Sequence, residues 1–256
     1  PPPPMNIEPE NEPAQMSEAA TLGNIFIEPG NTFEDLRRKP RFILATLIIC
    51  VLTFGFFFAF QQKMGDERYK RFFEEQFDKN PQAQSLTPEQ RASSIKMQTT
   101  VGKYISYALP LFVLIAIALG GFIYWIAVKI VGGSMSFPQA VSLWVYSSFP
   151  VAVVSTLANV VVLFLKSADE IDIATNQRGL VHANPGFFMD GKSMPVLTTL
   201  LGTFDLFVIW GLILAAIGLQ KIAKLSAASA WSIVLIMALL SLTWRTLQAY
   251  LTGNPM

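Results

Sequence analysis

Apolar residues fall into five long runs near 42–60, 104–131, 139–165, 196–219 and 227–250, with polar stretches between them. Crossing a hydrocarbon core of about 30 Å takes about 20 helical residues. Each run meets that length or comes close to it. The pattern predicts an all-α fold, a polytopic membrane helix bundle with five transmembrane helices. The last two runs are split only by Gln220-Lys221-Ile222-Ala223-Lys224, so they form a hairpin. An odd number of spans puts the two termini on opposite sides.

The polar stretches carry patterns of their own. In Met64–Asn80, Tyr69, Phe72, Phe73 and Phe77 recur at helical spacing with charges between them. This spacing predicts an amphipathic helix in the first outer loop, lying on the membrane surface or capping the bundle. Packing against the protein's own loops would explain it equally well. Next comes Thr87-Pro88-Glu89-Gln90, with Thr87 suited to an N-cap, Pro88 to the first helical position and Gln90 to a capping box. The helix starting there is expected to run into the second span. Residues Pro1–Pro29, rich in Pro, Glu, Asn and Ala, read as disordered. The expected organisation is a disordered or loosely held cytoplasmic tail over 1–32 and a five-span membrane domain over 33–256. The first apolar run begins at Phe42, too deep for a secretory leader, so it is expected to be an uncleaved span. Pro1–Pro4 precede Met5, which reads as the natural start.

Composition agrees with this reading. The chain of 256 residues is 52% hydrophobic and 14% charged, and its mean hydropathy is +0.43. Soluble domains run at about 25% charged, so much of this surface faces lipid or other apolar helices. A net charge of +1 points to no nucleic-acid partner. The lone cysteine, Cys50, and the lone histidine, His182, lie far apart. They make neither a zinc site nor a Cys–His nucleophile pair. The stretch Lys166–Pro195 gathers Asp169, Glu170, Asp172, His182 and Asp190, but without ligand spacing. It reads as a solvated loop with a turn at Asn184-Pro185-Gly186. No metal and no cofactor are expected.

Orientation rests on cations. Arg37, Arg38, Lys39 and Arg41 abut the first span, and Lys129, Lys221 and Lys224 share their side. More cations lie on the other side, where those of the first loop are interleaved with acids. The tight cluster beside the first helix decides for a cytoplasmic N-terminus and an outer C-terminus, since the first helix usually dominates. The expected location is the bacterial cytoplasmic membrane.

Polar residues within the spans are the functional candidates. Asp205 interrupts Thr203-Phe204-Asp205-Leu206-Phe207-Val208-Ile209-Trp210. A carboxylate in an apolar helix is disfavoured by about 2.5–3.5 kcal/mol on insertion scales, so it calls for partners. Asn159 in the third span and Arg245 in the fifth lie at comparable depths and are the expected partners. Snorkelling to the interface beside Trp244 and Tyr250 is the plainer reading of Arg245. Small residues mark expected helix-packing faces, Ala116 with Gly120 in the second span and Gly211, Ala215 and Gly218 in the fourth. Pro110 and Pro150 should bend their spans.

Several segments resemble the bacterial branch of the Ypt-interacting protein (YIP) family. Phe33-Glu34-Asp35-Leu36-Arg37-Arg38-Lys39-Pro40-Arg41 is similar to that family's pre-span segment. Phe137-Pro138-Gln139-Ala140 through Val145-Tyr146-Ser147-Ser148-Phe149-Pro150 resembles its third span. Leu201 to Trp210, with Ile217-Gly218-Leu219, resembles its fourth. The resemblance covers roughly 30–250. It implies five spans, a cytoplasmic N-terminus and a non-enzymatic membrane role. Eukaryotic members carry Gly-Tyr where this chain has Val145-Tyr146, so their GTPase-linked trafficking role does not carry over.

The leading expectation is a non-catalytic integral membrane protein acting through lateral helix contacts. It would be a subunit or accessory of a larger assembly, such as a transporter, or a membrane organiser. Its partners would be membrane lipids and other integral membrane proteins. The alternative is a small-solute or ion transporter or channel using Asp205. An intramembrane protease is disfavoured, because His182 lies in a loop and Glu74-Glu75 lies in the amphipathic segment without helical partners.

Overall fold

Local chemistry sets most helix starts. Thr87 and Ser136 each close a capping box, with Gln90 and Gln139 respectively, and proline follows in the first turn. Ser226 caps the last helix through the backbone N–H of Ser229. The computed structural model describes residues 16–79, 85–176, 179–191 and 193–255. The expected tail over 1–15 lies outside the described residues. In chain order the helices are α1 (Glu18–Asn24), α2 (Pro29–Arg38), α3 (Ile43–Lys79), α4 (Pro88–Tyr107), α5 (Leu109–Ile130), α6 (Phe137–Leu165), α7 (Pro195–Leu201), α8 (Leu206–Ile222) and α9 (Ala227–Thr252). No strand occurs among the described residues, so the fold is all-α.

Helices α3, α5, α6 and α9 are each long and apolar enough to cross a membrane. The expected fourth span differs. Residues Pro195–Phe204 and Leu206–Ile222 meet at a bend of 48°. A short 3-10 turn, Gly202–Phe204, separates α7 from α8. Among the described residues there are therefore four such helices, or five if the bent pair crosses as one.

Helix α6 is the centre of the bundle, packed against α3, α5 and α8, while α9 packs on α8 and α7. Close approach depends on missing side chains. A Cβ at Gly120 would lie 2.2 Å from Trp144, one at Gly121 would lie 2.8 Å from Val141, and one at Gly218 would lie 2.1 Å from Leu143. Ala215 is buried on α8, and Gly211 meets α6 at ordinary contact distance. Ala116 is the exception, being exposed. The buried stripe of α5 runs through Ile117, Gly120, Gly121, Tyr124 and Val128. At 3.6 residues per turn, Ala116 sits about 100° round from the centre of that stripe. The small-residue pair at this crossing is Gly120-Gly121.

Two expectations about the ends of the bundle change. The tail expected to reach residue 32 is folded from Met16 onward. Ile25, Phe33 and Leu36 are fully buried, and Phe33 lies against Leu143 and Gly218. Asp35 explains the local geometry. It accepts from the Met16 amide at 3.2 Å and pairs with Arg41, whose guanidinium also donates to the Met16 carbonyl. Glu34 pairs with Lys224 at 2.8 Å, and Gln139 donates to the Arg37 carbonyl at 2.7 Å. The N-terminal helical pair is thereby tied to the α8–α9 hinge and to the start of α6.

At the other end, α3 does not stop near residue 60. It continues past a kink at Gly65, whose φ of 69° favours glycine. Beyond the kink it continues as a helix over the segment expected to be amphipathic, and Tyr69 packs inward. Tyr69 joins a second apolar cluster with Phe56, Phe60, Leu163, Ile171 and Leu180. Arg68 reaches Asp169 at 2.6 Å, and Gln76 exchanges amide bonds with Asn254. Lys63 donates to the carbonyls of Leu163 and Lys166 at the end of α6, where the last turn leaves carbonyls without intrahelical partners.

Candidate functional site

The break in the fourth span turns Asp205 from a mid-helix acid into a helix cap. Its φ/ψ is extended, and its Oδ1 accepts from the Phe207 amide at 2.9 Å. Aspartate is a preferred N-cap because its carboxylate satisfies amides that have no intrahelical partner. The other oxygen, Oδ2, accepts from the Ala183 amide at 3.1 Å and from the Asn184 side-chain amide at 2.9 Å. Both oxygens of this buried carboxylate therefore hold backbone and loop.

Asn159, on α6, performs a parallel task. Its Oδ1 accepts from the amides of Leu180 and, at 3.0 Å, Val181, and its Nδ2 donates to the Ser155 carbonyl at 2.8 Å. Gly179 permits this approach. Its φ is 139°, and a Cβ there would lie 2.8 Å from the Asn159 amide oxygen. Residues 179–184 are thus clamped from below by two polar side chains, one from α6 and one from α8.

Asn159 and Asp205 do not touch each other as the sequence suggested. The loop runs between them, and each supports an adjacent piece of it. Arg245 lies across the same cavity, with its guanidinium beside Gly202 at a Cβ distance of 3.7 Å. Asp205 accepts bonds from Ala183, Asn184 and Phe207. The three candidates line one site.

That site is a cavity of about 510 Å³ beneath the loop. Asn159, Asn176, His182, Asp205, Arg245 and Phe187 are among its walls. The 166–194 stretch is not the solvated loop expected, because Ile171, Ala174 and Leu180 are buried and it contains two 3-10 turns. His182 Nε2 lies 3.1 Å from Asn176 Oδ1. Burial pushes the His182 imidazole below its ordinary value, and the Asp205 charge opposes the shift. Among the described residues, no group of three His, Cys, Asp or Glu side chains is placed to hold a metal ion.

Sequence reasoning singled out the three polar residues and missed the loop segment that Asn159 and Asp205 hold. One signal was present. A lone Asp after Gly-Thr-Phe, followed by an unbroken apolar run, has the form of an N-cap.

Comparisons with known proteins agree with this architecture. The model of the Yip1 domain matches residues 23–244. The match begins at the end of α1, so it takes in α2 as well as the bundle. The chain is also similar to the membrane protein YknW of Bacillus subtilis (strain 168), at 26% identity over 232 residues, covering 89% of each chain. No solved structure matches. With a family match over most of its length and a bundle of apolar helices to go with it, this chain belongs to the Yip1 domain family of membrane proteins.

Proposed function

We propose that this protein is a non-catalytic integral membrane protein that works by lateral helix contacts, as a subunit or accessory of a larger membrane assembly. The observation that carries the reading is the contrast between its interior and its flank. Asp205, the acid that would serve transport or chemistry, has both oxygens engaged, one capping α8 and the other holding the loop. Helix α9 is left open, with 17% of its most apolar stretch buried, and Leu235, Ile236, Leu239 and Leu240 face outward. Partners would be lipids and other integral membrane proteins. The orientation that fits the Arg37–Arg41 cluster puts the N-terminus in the cytoplasm and the C-terminus outside.

Purification from the native membrane in mild detergent tests the reading. One integral membrane protein should co-purify at fixed ratio, and bulky substitutions at Leu235 and Leu239 should release it. A protein that runs alone, with no partner in fixed proportion, refutes it.

The polar cavity beside a broken span supports a second reading, transport of a small solute or ion. Irregular backbone at membrane depth commonly lines transport sites. Flux of protons or cations through reconstituted protein, lost in Asp205→Asn, would favour transport over the accessory role.

A further inference from the structure

The turn between α1 and α2, Ile25–Glu28, sits far inside the bundle for a segment outside the spans. The Phe26 ring lies 6.0 Å from that of Phe149 and 6.2 Å from that of Trp210, both edge-on. Phe149 is a dozen residues inside the start of α6, and Trp210 a dozen inside the end of α8. At 1.5 Å per residue each ring is anchored about 18 Å from that end of its helix. Allowing for the ring separations, Phe26 reaches about 10 Å below the helix ends, the depth of interfacial insertion.

The tip is apolar and uncovered. Ile27 is 81% exposed and Phe26 is 39% exposed, while Ile25 behind them is fully buried. Charges frame the tip without entering it. Glu28 accepts from the Asn31 amide at 2.7 Å. A Cβ at Gly30 would lie 3.6 Å from Lys221 Cε, and Glu34 pairs with Lys224. Apolar residues below a charged collar are the arrangement of a segment seated at a headgroup boundary.

From this geometry we infer that residues 25–27 form a wedge inserted into the leaflet on the N-terminal side, with Phe26 seated on protein and Ile27 on acyl chains. The depth decides for lipid as the occupant. A docking partner from the aqueous phase would have to enter the headgroup layer to reach Ile27. The wedge adds to the proposed lateral role a fixed anchor on one leaflet. The buried Asp35–Arg41 pair and the Met16 bonds hold it in place.

The test uses full-length protein carrying Cys50→Ser, with a single cysteine labelled by an environment-sensitive fluorophore, in phosphatidylcholine nanodiscs. Ile27→Cys is compared with Ser134→Cys, on the exposed α5–α6 turn, and with Leu239→Cys on the outer face of α9. A spin-labelled lipid should quench Ile27→Cys several-fold more than Ser134→Cys, approaching Leu239→Cys, while aqueous iodide shows the reverse order. Each labelled variant should melt like its Cys50→Ser parent, because these side chains are exposed. Iodide quenching at Ile27→Cys equal to that at Ser134→Cys overturns the wedge. Shielding from both quenchers also overturns it, because the tip is then covered by residues 1–15 or by a second protein.

Discussion

Removing the Asp205 carboxylate should unfasten the loop rather than the bundle. Asp205→Leu deletes an acceptor used by three donors, the amides of Ala183 and Phe207 and the side chain of Asn184. Losing the cap at Phe207 costs about 1 kcal/mol. Stranding the Ala183 amide costs a further 1–3 kcal/mol, approximately. The Asn184 amide adds about 0.6 kcal/mol, the mean for polar contacts in a membrane protein. The expected loss is therefore about 3–5 kcal/mol, concentrated at residues 179–184. Asp205→Asn keeps an oxygen for the cap but turns an N–H₂ toward the loop donors, so it should lose about half as much. Unfolding in detergent measures the totals, and hydrogen exchange at Leu180, Val181 and Ala183 locates the damage. Exchange at Leu180 and Val181 should rise less than at Ala183, because Asn159 still holds those two amides. Stability within about 0.5 kcal/mol of wild type, the ordinary range for an uninvolved surface site, would refute the clamp. So would unchanged exchange over 179–184.

The membrane helices were legible because burial in lipid demands long apolar runs, and nothing else in a chain looks like them. The break at Gly202–Phe204 was not, because the residues on both sides of it are as apolar as any continuous helix. What interrupts the helix is a competition. Asp205 gains amides by capping, and the chain gives up a turn of α-helix to provide them. Local composition records only one side of that exchange. The N-terminal pair was hidden for a related reason. Thr21, Thr32 and Asp35 are buried polar residues whose partners lie in their own segment, so a stretch that reads as polar and disordered closes on itself. Ala116 shows a third limit. Small-residue spacing marks where helices can approach, while the face actually used depends on Trp144 and Val141 of the neighbouring helix. The polar candidates Asp205, Asn159 and Arg245 line one cavity. Asn159 and Asp205 hold a loop whose path no periodicity encodes.

Further outcomes follow from the packing. Gly218→Ala, which places a Cβ 2.1 Å from Leu143, should lower stability by about 1–3 kcal/mol, whereas Gly211→Ala, 3.7 Å from Val151, should be nearly neutral in the same melt. Arg41→Leu leaves Asp35 buried without its cation and should cost about 3–5 kcal/mol, with the N-terminal pair becoming the first site cut in limited proteolysis. Single cysteines in the Cys50→Ser background at Ser193 and Ser134, on opposite ends of the bundle, should react with an impermeant thiol reagent on intact cells at Ser193 alone; the reverse pattern would invert the orientation. Acid should loosen the loop through His182. Burial holds its imidazole below the ordinary value despite the Asp205 charge, with the Lys166 charge acting in the same direction as burial. The folded protein therefore binds that proton less readily than the unfolded chain, whose histidine titrates near about 6.5. The corresponding stability is fully present above that pH and is lost as pH falls below it through the folded-state value. Carboxylates titrate lower, so between about pH 6.5 and 5 the loss belongs to the histidine. His182→Gln, which keeps a donor near Asn176, should flatten the melting temperature across that window. An acid decline as steep in His182→Gln as in wild type would show that protonation of this imidazole is not what loosens the loop.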